Sequence, residues 1–201
     1  MIRLNHVSKI YGDGSKKAVD DLSWDIEDGK ITGFIGPNGA GKTTTLKMIT
    51  GILAPSEGTI EINGKDIQKD PLVRGARVKA GQRLIENPDR RLVDQCAHHH
   101  DFLTHAMRVA HDTARKVLDE PLTGLDPRSA HELKQMMREH ADAGNAVLFS
   151  THVLEVAEKL CDRIAIIHHG RQVYLGSLEE LKAAYPDQTL ENIFLEITEH
   201  A

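Results

Sequence analysis

The sequence predicts an α/β fold with a mostly parallel sheet, preceded by an antiparallel β-subdomain. Strand-like and helix-like segments alternate through the second half, which is typical of a parallel sheet covered by helices. The first third is rich instead in alternating apolar and polar residues, which favour antiparallel strands and hairpins. With 201 residues, 40% hydrophobic, the chain suits one well-buried domain, so we predict a single domain over residues 1–201.

The antiparallel part is predicted from three alternating segments: IRLNHVSKIY (2–11), DLSWDI (21–26) and GTIEINGKDI (58–67). In the third segment, the Asn63-Gly64 dipeptide indicates a tight hairpin turn. Between the second and third segments, an apolar strand gives way to glycines and then to a helical pattern after Thr43. Glycine and proline between residues 51 and 55 end that helix.

The second half supplies the remaining strands and helices of the predicted core. A strand candidate begins near Val117, and Asp126 followed by Pro127 is typical of a helix N-cap and first helical position. The other predicted elements are a buried strand at NAVLFS (145–150), a helix from Val153, a hairpin at RIAIIHHGRQVYLG (163–176), and two short amphipathic helices on either side of Pro186. Residues 72–115 are rich in Arg and His with broken periodicity, and we predict a reduced, poorly packed helical subdomain there.

Composition excludes several classes of protein. The net charge of -5 is spread over interspersed charges of both signs, so no broad basic face for nucleic acid is expected. No apolar run is long enough to cross a bilayer, and the start MIRLNHVSKIYG lacks the layout of a signal peptide. Cys96 and Cys161 are far apart without a CxxC spacing, which suits a reducing cytosol and favours neither as a catalytic residue.

The segment GPNGAGKT (36–43) carries the strongest functional signal in the sequence. It matches GxxxxGK[ST] with a strand before it and a helix after it. The glycines let backbone N–H groups surround an anion at the start of the helix. Lys42 then supplies a charge for the β- and γ-phosphates, and the Thr43 hydroxyl is placed to bind Mg²⁺. We therefore predict a nucleoside triphosphate site.

Two adjacent acids follow an apolar run in VLDEPLTGLDP (117–127). A carboxylate at the end of a neighbouring strand holds Mg²⁺ in phosphate-loop enzymes, which is the role predicted for Asp119. Glu120 is placed to orient or deprotonate the attacking water. His152 comes directly after another apolar strand and is a candidate donor to the γ-phosphate or the water. We expect Glu120 and His152 to be the catalytic pair.

These motifs together carry a family resemblance: the Walker A loop at 36–43, the acids at 119 and 120, GLD at 124–126, and STH at 150–152. In this order they resemble the ATP-binding subunit of an ABC transporter. The resemblance implies a P-loop NTPase core, and a cytosolic ATPase that binds ATP and Mg²⁺. It also implies that the chain pairs with a second copy or a related subunit and drives a permease from the inner face of the cell membrane.

The resemblance further implies that Tyr11 stacks on adenine, as the aromatic residue of the family's A-loop does. The stretches EVAEKLCDRIAII and GSLEEL look like those of drug exporter subunits. The direction of transport, import or export, stays open. The transported substrate cannot be identified from this subunit, because it contacts the permease. The predicted nucleotide contacts are Tyr11, Gly36, Pro37, Asn38, Gly39, Ala40, Gly41, Lys42, Thr43 and Thr44, and the predicted metal ligands are Thr43 and Asp119.

The chain departs from the family between Lys42 and Asp119, where ABC ATPases carry a Gln-loop and a helical subdomain ending in an LSGGQ-like signature. That interval is short here. LTHAMR (103–108) is similar to LSHGMR-like variants of the signature, and it fits a short amphipathic helix equally well. If it is the remnant, Ala106 replaces a glycine, and its methyl group blocks close approach to a phosphate.

Other polar residues of the same interval have weaker functional readings. IENPD (85–89) resembles the Gln-loop better than Gln82 does, which makes Glu86 the equivalent residue. The histidines at 98–100, 105 and 111 lack the spacing and the carboxylate of a zinc site, and solvent exposure is expected for them. Arg115 and Lys116 precede Asp119 where buried residues are expected, so we predict that the strand starts late or that both side chains reach solvent.

Three functions remain open from the sequence. The first is an ABC-type ATPase subunit that couples ATP hydrolysis to a permease. The second is a truncated, non-catalytic nucleotide-binding module that keeps the phosphate loop without a working signature. The third is a phosphate-loop kinase, which is disfavoured because no acceptor site or lid motif is present in the sequence.

Overall fold

The computed structural model describes residues 1–12, 16–69 and 115–199, which fold as two sheets and five helices. The strands are β1 (Ile2–Tyr11), β2 (Lys16–Ile26), β3 (Ile31–Ile35), β4 (Glu57–Ile62), β5 (Lys65–Asp66), β6 (Arg115–Asp119), β7 (Ala146–Thr151), β8 (Arg163–His168) and β9 (Arg171–Ser177). The helices are α1 (Lys42–Ile49), α2 (Pro127–Asp142), α3 (Leu154–Leu160), α4 (Leu178–Ala184) and α5 (Leu190–Glu199). The helical subdomain expected over residues 72–115 lies almost entirely outside the described ranges and stays a prediction.

The antiparallel sheet has the strand order β2-β1-β4-β5, which confirms the predicted N-terminal β-subdomain. Its hairpin turns at Asn63 and Gly64, whose φ angles of 53° and 73° are both positive. Two consecutive positive φ angles are the mark of the type I′ turn that matches strand twist, which explains why the Asn-Gly signal located it. β1 pairs with both β2 and β4, so it lies at the centre of this sheet.

The second sheet has the order β6-β7-β3-β8-β9 and is parallel except for β9, which pairs antiparallel with β8. The predicted mostly parallel sheet is therefore confirmed. All five residues of β3 are buried, as expected for the middle strand of a sheet covered on both faces. The carboxyl ends of β3, β6 and β7 meet at one edge, where ligands bind in open α/β sheets.

Two apolar clusters hold these layers together. One fills the space between the two sheets, where the rings of Trp24 and Phe34 are 5.1 Å apart. The other lies on the opposite face of the parallel sheet, under the helices, and includes Leu133 of α2 and Ile193 of α5. The α2 helix begins as predicted, with the Asp126 carboxylate accepting hydrogen bonds from the N–H groups of Arg128 and Ser129. The core thus fixes β3 and its neighbours as the base of the functional edge.

The strand that ends at Asp119 differs from the prediction that it starts late or that its first two side chains reach solvent. β6 begins at Arg115, so it does not start late, and Lys116 is only 3% exposed. The expectation that its side chain would reach solvent is therefore wrong, and burial lowers the pKa of Lys116 to about 8. Asp119 still keeps its place, because backbone pairing runs without a break from Arg115 opposite Ala146 to Asp119 opposite Ser150.

We expect the stability of the parent chain to rise with pH relative to that of Lys116→Met, because burial disfavours the charged amine. The folded pKa of about 8 lies below the ordinary 10.5. Between these values the unfolded chain binds more protons, so the stability of the parent chain rises with pH across that window. The shift corresponds to at most about 3 kcal/mol at low pH.

Thermal unfolding of Lys116→Met and of the parent, from about pH 7 to about pH 10.5, measures the difference between their melting temperatures. The melting temperature of the parent should rise with pH relative to that of Lys116→Met, whereas the difference between the parent and Lys30→Met, which changes an exposed lysine, should stay constant. If the difference in melting temperature between Lys116→Met and the parent stays constant with pH, the lowered pKa of Lys116 is contradicted.

Candidate functional site

The loop from Gly36 to Gly41 joins β3 to α1, and close packing explains two of its glycines. A Cβ atom on Gly36 would lie 2.5 Å from the carbonyl oxygen of Ile167 in β8. A Cβ atom on Gly41 would lie 2.5 Å from the carbonyl oxygen of Ala18, and Gly41 also has a φ of 106°. Side chains at either position would therefore push the loop off the sheet.

The turn between β8 and β9 braces the same loop from the other side. The N–H of Gly170 in that turn donates to the carbonyl of Ala40 over 3.0 Å. The carbonyl of Gly170 in turn accepts from the N–H of Asp20 in β2 over 2.8 Å. The loop is consequently tied both to the hairpin turn and to the antiparallel sheet.

Lys42, the first residue of α1, points back into the loop. Its ammonium donates to the carbonyl of Gly36 over 2.7 Å and to that of Pro37 over 3.2 Å, and its Nζ lies 3.9 Å from a carboxylate oxygen of Glu120. The side chain is 6% exposed. Burial lowers the pKa of Lys42, and the carboxylates of Glu120 and Asp119 oppose that shift.

The start of α1 is open to an anion. Its N-cap residue is Gly41, so no side chain caps the helix there, and its first turn carries no acidic residue. The first N–H groups of a helix lack partners within the helix and carry the positive end of its dipole. This helix start therefore favours a phosphate group, as the sequence predicts.

Thr43 and Asp119, the two predicted metal ligands, are brought together. The Thr43 hydroxyl donates to the Asp119 Oδ2 atom over 2.7 Å, although 76 residues separate them in the chain. A hydroxyl and a carboxylate are hard oxygen donors of the kind that Mg²⁺ prefers. The residues present thus fit a magnesium site beside the phosphate loop.

Glu120 and His152, the predicted catalytic pair, also meet. The Nδ1 atom of His152 is 2.6 Å from Oε2 of Glu120, and Thr123 donates from its hydroxyl to the same oxygen over 3.3 Å. β7 ends at Thr151, so His152 follows its carboxyl end as expected. Both side chains therefore face the edge of the sheet where the phosphate loop lies.

Ser150 is a site residue that the sequence analysis did not single out for a role. It lies at 0% exposure on β7, directly opposite Asp119. Its hydroxyl donates to the Asp119 carboxylate and accepts from the N–H of Glu120 over 3.0 Å. Only strand pairing brings these residues together, so the STH motif alone was insufficient to find this role.

A pocket of about 420 Å³ opens at this edge. Its lining includes six of the predicted nucleotide contacts: Asn38, Gly39, Gly41, Lys42, Thr43 and Thr44. The predicted catalytic residues Glu120 and His152 also line it, as do Ala18 and Thr123, which were not predicted. Gly36, Pro37 and Ala40 contribute backbone groups that shape the loop, as described above. The structure thus assembles one site from three strands and the helix start.

Tyr11 lies at the end of β1 and is not among the residues that line the pocket. Its ring is 49% exposed, and the ammonium of Lys9 lies 5.6 Å from the ring centroid. Lys9 is held by a 2.8 Å hydrogen bond to the carbonyl of Ala54. The adenine contact of Tyr11 stays a prediction.

The remaining candidates from the sequence are one cysteine within the described residues and several residues outside them. Cys161 is buried against Gly33, and burial raises the pKa of its thiol, which agrees with a structural role. Within the described ranges, no group of three or more His, Cys, Asp and Glu residues has a metal-binding arrangement. Several residues discussed above lie outside those ranges, and the roles assigned to them stay predictions: Cys96, Gln82, Glu86, the LTHAMR segment and the histidines from 98 to 111.

Comparisons with known proteins agree with this geometry. A family model described as "ABC transporter" matches residues 19–143. The chain is 33% identical to Nod factor export ATP-binding protein I of Paraburkholderia xenovorans, over 91% of the chain and 73% of that protein. It is 32% identical to the ABC transporter ATP-binding protein NatA of Bacillus subtilis, over 97% of each.

The fold has a solved counterpart. The structure described as "Structure of ATP binding subunit of ABC transporter" matches with a TM-score of 0.78 and 24% identity, over 98% of this chain and 99% of that one. This likeness supports the P-loop NTPase fold that the sequence predicts. In the part of the chain that the structure describes, no helix combines the length and the apolar character that crossing a bilayer requires.

Proposed function

This chain belongs to the ABC transporter family as one of its ATP-binding ATPase subunits, and from that premise we propose which residues carry the reaction. The site at the edge of the parallel sheet binds Mg-ATP and hydrolyses it. The observation that carries this proposal is the meeting of Lys42, Thr43 and Glu120 around one pocket, with the Asp119 carboxylate hydrogen-bonded to Thr43. Residues far apart in sequence have converged where a triphosphate needs a cation, a metal ligand and a base.

The phosphates of ATP lie along the loop in this proposal. Backbone N–H groups from Gly39 to Thr44 and the start of α1 surround the β- and γ-phosphates, and Lys42 turns from the carbonyls of the loop toward them. The pocket volume of about 420 Å³ is ample for a triphosphate. We propose that Tyr11, at the end of β1, stacks on the adenine ring.

Thr43 and Asp119 would hold Mg²⁺ beside the phosphates. Bound there, Mg²⁺ would supply positive charge that offsets the charge of the phosphate oxygens and so favours attack of water at the γ-phosphorus. The 2.7 Å contact between the Thr43 hydroxyl and Asp119 supports this assignment, since both oxygens already face one point. The protein contributes the position of these oxygens.

Glu120 acts as the general base. It takes a proton from a water molecule whose oxygen bonds to the γ-phosphorus, while the bond from that phosphorus to the β–γ bridging oxygen breaks and leaves ADP. His152 contacts Glu120 over 2.6 Å and orients the carboxylate or donates to the γ-phosphate. Products are ADP and inorganic phosphate.

The output of this reaction is mechanical in our proposal. Two copies of the chain, or the chain and a related subunit, close on two nucleotides and drive a permease on the inner face of the cell membrane. The name of the Paraburkholderia relative, which specifies export, supports export as the direction. Nucleic acid is no part of this function, given the net charge of -5.

The purified chain tests the proposal directly. We expect Mg²⁺-dependent, vanadate-sensitive ATP hydrolysis whose rate per chain rises with protein concentration, because a paired site forms by mass action. Nucleotide binding without turnover at any concentration would instead support the non-catalytic module. Transfer of phosphate to an added acceptor rather than to water would identify the kinase.

A further inference from the structure

Ser150 occupies a distinctive place between the two functional carboxylates. In the parallel pairing of β6 with β7, Ser150 stands opposite Asp119, and the chain of β6 continues from there into Glu120. Side chains opposite each other on neighbouring strands share one face of the sheet. The hydroxyl of Ser150 is therefore held beside the carboxyl end of β6 by the backbone register itself.

This hydroxyl both donates and accepts a hydrogen bond. It donates to Oδ1 of Asp119, while the other oxygen of that carboxylate accepts from Thr43. It also accepts from the N–H of Glu120 over 3.0 Å. A serine hydroxyl has one donor hydrogen and two acceptor positions, so a single atom joins the metal ligand to the residue that carries the base.

Glu120 needs such an anchor. Its φ of 50° lies in the left-handed region, which residues other than glycine enter only when their surroundings hold them there. The side chain is then fixed by His152 and Thr123, and the backbone by Ser150. Loss of the Ser150 contact would free the peptide that joins Asp119 to Glu120.

We propose that Ser150 is a positioning residue, one that orients the Asp119 carboxylate toward the metal and fixes the backbone of Glu120. It does not line the pocket and acts through those two acids. The inference rests on the proposed function, since it assigns a role toward Mg²⁺ and the attacking water. It predicts that the hydroxyl matters for metal affinity as well as for turnover.

Thr32 of β3 is a suitable control. It is also 0% exposed, and within the described residues its hydroxyl has no hydrogen-bond partner. Thr32→Val removes a buried hydroxyl from the same sheet without touching the site, whereas Ser150→Ala removes one that contacts both acids. A purely structural role for the Ser150 hydroxyl would lower the stability of Ser150→Ala but leave the Mn²⁺ affinity of the folded variant equal to that of Thr32→Val.

The experiment uses the full chain in three measurements. Calorimetry gives ATP affinity in EDTA, the electron paramagnetic resonance of Mn²⁺ gives metal affinity of the ATP-loaded chain, and phosphate release gives kcat. We expect Ser150→Ala to keep the ATP affinity measured in EDTA and to lose about 10-fold to 100-fold in Mn²⁺ affinity and in kcat. Ser150→Thr, which retains a hydroxyl, should restore both, and Thr32→Val should match the parent.

Each outcome separates the inference from the function on which it rests. A parent chain that fails to bind ATP in EDTA would overturn the proposed function. If the parent binds ATP and Mn²⁺, and Ser150→Ala has the same Mn²⁺ affinity and kcat as the parent or as Thr32→Val, the inference alone is overturned. If Ser150→Ala does not fold, Ser150→Cys replaces the hydroxyl with a weaker donor of similar shape. Unchanged Mn²⁺ affinity in that folded variant would equally overturn the inference.

Discussion

Lys42→Ala is expected to weaken ATP binding by about 100-fold or more and to reduce hydrolysis to background, because a buried charge-assisted contact to the phosphates is lost. The variant also removes the two hydrogen bonds from the Lys42 ammonium to the carbonyls of Gly36 and Pro37. Those carbonyls would then face the incoming phosphates without a neighbouring cation. Calorimetric titration with ATP and steady-state phosphate release measure the two losses.

The matched control for this prediction is Lys47→Ala. Lys47 belongs to the last turn of the same helix and does not line the pocket. It should retain the ATP affinity of the parent, while circular dichroism shows that both variants are folded. An ATP affinity that is unchanged in Lys42→Ala would remove the central assumption of the proposed site.

Glu120→Gln should separate binding from chemistry. We expect ATP to bind at least as tightly as to the parent, since a negative charge near the phosphates is removed, and hydrolysis to fall by about 100-fold to 10,000-fold, the usual range for loss of a general base. The amide keeps the shape of the side chain beside His152 but cannot accept a proton from water. Calorimetry and phosphate release again supply the two measurements.

Glu196→Gln is the control, since it neutralises an exposed acid of α5 outside the pocket. Its turnover should equal that of the parent. If Glu120→Gln retains parental turnover, another group must activate the water, and His152 becomes the first candidate. Loss of ATP binding in Glu120→Gln would indicate a structural role for the carboxylate instead.

Local signals in the sequence were sufficient for much of the fold. The Asn63-Gly64 turn and the Asp126 cap depend on a few neighbouring residues, and both form as predicted. The phosphate loop was recognisable for the same reason, because its glycines, Lys42 and Thr43 lie within one strand-to-helix connection. Such features carry their own geometry and need no knowledge of distant strands.

Features that depend on pairing between strands were harder to predict. Lys116 was expected to escape burial on grounds of charge, yet the ladder with β7 holds it inside the strand. Ser150 acquires its role only because β7 lies beside β6, 31 residues away along the chain. Side-chain composition does not encode register between segments so far apart, so neither result could be read from spacing.

The contacts of Gly170 with Ala40 and Asp20 hold the phosphate loop through hydrogen bonds within the protein. The conformational entropy of ordering the loop is then lost during folding, and ATP meets a preorganised cradle. Nucleotide affinity thereby becomes sensitive to the geometry of a hairpin that is distant in sequence, and an insertion in that turn would alter affinity without contacting a phosphate.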